Sequence, residues 1–270
     1  MASGTIRDGL ALEYLFCPLT GQDVPDTSGN GYHGVLGLTD AVEPRMASYE
    51  GSDPDWAYNG IELRADRLWG TGQTDVVTAP AGEIIQHNTD TEITIEAWAY
   101  NEPGLLRGTV FAAGNEVVWI YAADTALDFY TYSIYDAFER TDLEQVTGST
   151  AVAEGVWYHM VGVRGATHSK VYLNGVEDGS SALTYPGTKY ALKTFGSAVD
   201  TARINDRHIG AGTDNLNGLH NGHNGRIGEL RIYRRALTAD EVLFNYNASN
   251  YYPDGKNSCG IGPACRYYAM

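Results

Sequence analysis

The sequence predicts an all-β protein, an antiparallel sandwich of two sheets, and three observations carry that prediction. Strand-like segments with period-2 alternation follow one another along most of the 270 residues. No helical segment separates them, which excludes the strand–helix alternation of a parallel α/β sheet. One two-residue turn, Asn174-Gly175, has the composition of a tight hairpin.

The first strand is "LALEYLF" (10–16), and "EITIEAWAY" (92–100) alternates in the same way. In the latter, Ile93, Ile95, Ala97 and Ala99 share one face, while Glu96, Trp98 and Tyr100 share the other. "EVVWIYA" (116–122), "ALDFYTYSI" (126–134) and "VWYHMVGVR" (156–164) follow at short spacing, divided by Gly, Asn or Asp. "KVYLNGVEDG" (170–179) holds the hairpin, and "RIGELRIY" (226–233) is the last strand. One helix is expected, "LTADEVLFNYNA" (237–248), with Thr238 as N-cap and Glu241 completing a capping box. Its apolar side is Val242, Leu243 and Tyr246. Residues 1–250 read as one domain. The remainder, 251–270, is a Gly/Pro-punctuated tail with Tyr251, Tyr252, Tyr267 and Tyr268. That tail reads as an assembly segment or a cover for a sheet edge.

Composition narrows the function classes. A formal charge of −16, from 34 acidic against 18 basic residues, repels phosphate backbones and argues against nucleic-acid binding. No run approaches the roughly 18 apolar residues of a membrane-spanning helix, so no membrane insertion is expected. The start, "MASGTIRDGLALEYLF", lacks the basic and apolar regions of a secretion signal. Either that export route is not used or a leader is missing from this sequence. Cys17, Cys259 and Cys265 do not make a disulfide framework, although Cys259 and Cys265 are close enough in sequence to pair.

Six stretches in a fixed order then point to a family: "GLALEYLF" (9–16), "DTSGNGYHGVL" (26–36), "TEITIEAW" (91–98), "GVWYHMVGVR" (155–164), "KVYLNGVEDG" (170–179) and "GRIGELRIYRRALTADEV" (225–242). Together they resemble the laminin-G-like, concanavalin A-type lectin/glucanase family over residues 9–248. The resemblance implies a jelly-roll of two curved antiparallel sheets, with the N- and C-terminal segments meeting in one of them. The family includes glycan-binding modules, glycosidases, adhesion domains and virus-particle components, so residues have to decide the function.

Glycosidases need two carboxylates about 5 to 10 Å apart. The glucanases of this family place them in a Glu-x-Asp-x-x-Glu strand, which this chain lacks. In "ERTDLE" (139–144), Asp142 and Glu144 share a face but Glu139 falls on the other. Glu96 has no acid two residues away. No Ser nucleophile elbow, P-loop or HExxH motif occurs, and the chain is not expected to be an enzyme.

The loop "DTSGNGYHG" (26–34) reads either as a turn alone or as a turn that also holds Ca²⁺, which takes six to eight oxygen ligands. Asp26 and Asn30 offer side-chain oxygens and His33 its backbone carbonyl. By the resemblance, an acid at the start of the last strand completes such a site. Here Gly228 stands at that position, and Glu229, on the opposite face, is the acid that remains.

The sugar-contact candidates are Trp98 and Tyr100, which share the Glu96 face, with Asn215, Asn217, His220 and Asn221 from the loop "NLNGLHNGHNG" (215–225). Trp119, Tyr121, Tyr130 and Tyr132 suit either sugar stacking or cross-strand packing. The expected function is non-enzymatic recognition or adhesion. The chain would be a surface component of a phage particle, on capsid or tail, that binds glycans and contacts other particle subunits or its own copies. The alternative is a carbohydrate-binding domain of a secreted protein, and a glycoside hydrolase is third.

Overall fold

The computed structural model describes residues 4–16, 23–36, 61–63, 77–80, 90–101, 103, 108–113, 118–122, 126–134, 141–189, 201–204 and 225–249. Two antiparallel sheets make the sandwich. The first holds β1 (Leu10–Leu15), β4 (Ile61–Leu63), β6 (Ile93–Asn101), β11 (Trp157–Arg164), β12 (His168–Leu173), β13 (Val176–Ala182) and β15 (Gly225–Tyr233). Its order is β1-β15-β6-β11-β12-β13, with β4 also paired to β15. The second holds β2 (Asp23–Val24), β3 (Gly34–Leu36), β5 (Val77–Pro80), β7 (Gly108–Ala113), β8 (Val118–Ala122), β9 (Leu127–Ile134), β10 (Thr141–Thr147) and β14 (Thr201–Ile204). Its order is β10-β9-β8-β7-β14-β5-β3-β2.

The core lies between the sheets and follows the alternation of the strands. Ile93, Ile95, Ala97 and Ala99 of β6 point inward with Leu12, Tyr14, Leu230 and Ile232 from the first and last strands of that sheet. Leu127 and Phe129 come from the second sheet to meet them. At Gly162 the sheets approach so closely that a Cβ would sit 2.2 Å from the Phe129 ring. Pairing of β1 with β15 joins the two ends of the domain in one sheet, as the resemblance implies.

One short helix, α1 (Ala239–Ala248), lies on the outer face of the first sheet. Thr238 caps it, and the reciprocal Glu241 bond of the capping box forms. Val242 and Asn245 are its buried residues. Leu243 is 43% exposed, which corrects its expected place on the apolar side. It leans instead on the hairpin, where Asn174 and Gly175 both take positive φ as a type I′ turn requires. A Cβ on Gly175 would come within 3.1 Å of Leu243 and Tyr246, so the glycine also lets the helix lie against the turn.

Candidate functional site

The outer face of the first sheet buries charge under α1. Glu13 of β1, Glu96 of β6 and Glu229 of β15 surround the guanidinium of Arg231 at 2.8, 2.9 and 2.6 Å. Arg7 adds a second cation, 2.6 Å from Glu13. Asn245 of α1 donates to Glu96 (2.7 Å) and to the Tyr233 hydroxyl (3.0 Å), and its own oxygen accepts from the Ile6 amide (2.8 Å). His159 Nε2 lies 3.2 Å from Glu96 Oε1, at ion-pair distance. Neither ring nitrogen makes a well-directed hydrogen bond.

These neighbours set the protonation states. Burial pushes the Glu96 carboxyl up, but His159, Arg231 and Asn245 together outweigh it and hold its pKa down at about 2. Glu13 is likewise lowered, because Arg231 and Arg7 overcome its desolvation. Glu229 goes the other way: burial, reinforced by the negative charges of Glu96 and Glu13, outweighs Arg231 and raises it. Sequence alternation placed Glu96 without an acid partner, because the partners come from other strands. Charges at outward positions of the otherwise apolar strands β1, β6 and β15 are the signal that finds them.

Asp26, Asn30 and His33 lie beside the edge strand β1, and Glu229 does not join them. Asp26 Oδ1 accepts from the Glu13 and Ser28 amides, and Oδ2 from the Ser28 hydroxyl and the Tyr32 amide. Four donors fill the roughly four acceptor sites of a carboxylate, which leaves no lone pair for a cation. The Asn30 amide donates to the carbonyls of Leu10 and Ala11, and His33 Nδ1 accepts from the Asp26 amide. Glu229 is spent on Arg231. Both carboxylates of the expected calcium set are thus engaged by the protein's own donors. The loop instead satisfies the open edge of β1, since Thr27 also pairs with the Glu13 carbonyl.

Trp98 is 1% exposed. Its indole N–H donates to Ser249 at 2.6 Å, and its ring stacks on Tyr246 with centroids 5.7 Å apart. No ring face is left for a sugar, which corrects that expectation: Trp98 fastens the end of α1 to the sheet. Tyr100 is half-buried, with the Arg226 guanidinium 5.5 Å from its ring centre and Trp157 at 5.6 Å. Asn215, Asn217, His220 and Asn221 lie outside the described residues, as do Cys17, Cys259, Cys265, Glu139 and the tail. Glu144 is buried and accepts from Ser133, Thr184 and the Tyr185 amide. Through Ser133 it is linked to Arg164, a cation fully buried between the sheets.

The outer face of the second sheet is different. Gln145 of β10 donates to the Tyr130 hydroxyl (3.0 Å) and to Thr147 (3.2 Å). Tyr130 in turn donates to Asp128 Oδ2 (3.2 Å), and Thr147 donates to Oδ1. The register sets Gln145 opposite Tyr130, Tyr130 opposite Trp119, and Asp128 opposite Tyr121. Directly opposed residues share a sheet face. The amide and the phenol therefore share one cross-strand row with Trp119, and the acid lies in the adjacent row with Thr147 and Tyr121.

A family model for the concanavalin A-like lectin/glucanases superfamily matches residues 71–243. No curated protein matches the chain in sequence. Among solved structures, the chain is similar to the binding domain of botulinum neurotoxin DC in complex with rat synaptotagmin II. The TM-score is 0.54 at 12% identity, over 92% of this chain and 55% of that one. The same toxin domain in complex with SialylT gives 0.55 at 12%, over 92% and 55%. The binding domain of Paraclostridial Mosquitocidal Protein 1 gives 0.55 at 14%, over 90% and 54%. The chain spans about half the length of these domains, and at such identities the likeness is one of fold.

Proposed function

Because the chain belongs to the concanavalin A-like lectin/glucanases superfamily, we propose that it is a non-enzymatic recognition protein that binds glycans. One observation carries the reading: the acids of the described residues that cluster are locked away from solvent. Glu13, Glu96 and Glu229 are 0–6% exposed and all three ion-pair with Arg231, so their carboxylates are engaged by its guanidinium. A glycosidase pair has to flank an accessible bond. Similar binding domains solved with SialylT and with synaptotagmin II support recognition as the use of this fold. The test is a glycan array run beside a reducing-end assay on β-glucans, galactans and sialosides. Glycan binding with no released reducing ends is expected, and turnover that disappears in Glu96→Gln overturns the reading.

In the same proposal the chain is a surface component of a phage particle, with a secreted protein as the alternative setting. Exposed Val176, Leu243 and Phe244, where α1 meets the hairpin, support contact with other subunits. Density-gradient fractionation checks the setting. Co-sedimentation with assembled particles supports the first, and recovery as free protein from the medium supports the second.

A further inference from the structure

We infer that the saccharide site is the outer face of the second sheet, at Asp128, Tyr130, Gln145 and Thr147, and that it takes a neutral sugar. This rests on the glycan-recognition reading above. Asp128, Tyr130 and Thr147 sit on the face opposite the core residues Leu127, Phe129 and Val146 of the same strands. Gln145 and Thr147 are exposed, Leu143 beside them is 41% exposed, and Tyr130 is half-buried.

The groups are fixed before any ligand arrives. Asp128 is 8% exposed, and its two oxygens are held by Tyr130 and Thr147. Those bonds use two of the roughly four acceptor sites of a carboxylate. The remaining two suit a pair of adjacent sugar hydroxyls, which are donors. Gln145 makes both these bonds through its amide nitrogen, which leaves its carbonyl oxygen as a further acceptor. A phenol ring between the acid and the amide supplies an apolar surface with a polar tip, the combination that suits the C–H face of a pyranose. Holding these groups in a ladder lowers the ordering cost of binding.

Charge selects the sugar class. On β8, β9 and β10, Asp128 is the one charged residue at the ladder positions of this face. Arg203 is the one basic residue at a described ladder position of the face, and it lies three strands away from Tyr130 along the row through Trp119 and Ala112. A sialic acid, uronate or sulfated sugar would bring its anion against Asp128 in a chain that already carries −16. A neutral hexose donates hydroxyls to the same carboxylate without that repulsion.

The experiment uses the full chain on an array of neutral hexose glycans beside sialylated, sulfated and uronate-containing ones, followed by calorimetric titration of the strongest hit. Neutral glycans should bind. Asp128→Asn and Gln145→Ala should each weaken the hit by about tenfold or more, the effect of losing a hydrogen bond to a charged or well-held group. The melting temperature of Gln145→Ala, an exposed position, should stay unchanged. Preference for acidic glycans overturns the ligand class, and binding that survives both substitutions overturns the site. A wild-type chain that binds no glycan overturns this inference together with the recognition reading.

Discussion

Arg231 serves three carboxylates at once, and they do not contribute equally. Glu96 is fully buried, and His159, Arg231 and Asn245 all favour its charged form. Glu96→Gln therefore strips charge from the group the others are built around, and should cost about 3 kcal/mol, as breaking a buried pair does. Glu229 is the surplus anion, raised by burial and by its two like-charged neighbours. Glu229→Gln keeps an oxygen for Arg231 and removes the repulsion, so at neutral pH it should leave the melting temperature unchanged or raise it. Urea denaturation of the two variants checks the contrast, and equal losses would refute it. Asp26 makes a second test at this scale. One of its four hydrogen bonds ties the loop to the Glu13 amide of β1 and three close the loop on itself, so Asp26→Ala should destabilise by about 2 kcal/mol. Melts in millimolar calcium and in chelator should superimpose, since donors already fill the carboxylate. A calcium-dependent rise that Asp26→Ala abolishes would restore the metal reading.

At the scale of elements, α1 shows which features alternation and capping rules reveal and which they do not. Thr238 and Glu241 were legible because a capping box is a local pattern of fixed spacing, and both of its bonds form. Thr238→Ala should lower stability by about 1 kcal/mol, read from the denaturation midpoint. The buried side of the helix was only half legible. Asn245 is polar, so a hydropathy reading passes it over, yet it is fully buried because it bridges Glu96, Tyr233 and Ile6. Leu243 counted as apolar but rests at the helix margin against Gly175. Trp98 was misplaced for a related reason: alternation shows that a ring leaves the inner face, but not that a helix covers the outer one. The hairpin needed no tertiary information, since Asn-Gly names its own turn. Gly175→Ala should cost stability twice, through its φ of 79° and through the clash with Leu243 and Tyr246.

For the whole molecule, the β10-β9-β8-β7 part of the second sheet joins sequence neighbours, and short loops between alternating strands make that order readable. The β7-β14, β14-β5 and β5-β3 pairings of the continuation join segments far apart in sequence, which no local pattern encodes. The first and last strands, β1 and β15, pair side by side, and that pairing brings the buried Glu13, Glu229 and Arg231 into one unit that couples the fold to pH. Glu13 and Glu96 have lowered folded-state pKa values, so their contribution is present above the ordinary value of 4.5 and is lost as pH falls, for Glu96 towards about 2. Glu229 has the opposite sign: raised in the folded state, it stabilises fully below 4.5 and loses that contribution as pH rises through its folded value. The two slopes oppose each other, so stability should peak in mild acid rather than at neutrality. Urea midpoints measured from pH 8 to pH 2.5 should rise as pH falls towards that peak and then drop below about pH 4.5. Glu229→Gln should flatten the limb above the peak and leave the acid limb in place. A midpoint that stays level across the range, or a neutral-side slope that persists in Glu229→Gln, would show that the cluster is not what couples this sandwich to protons.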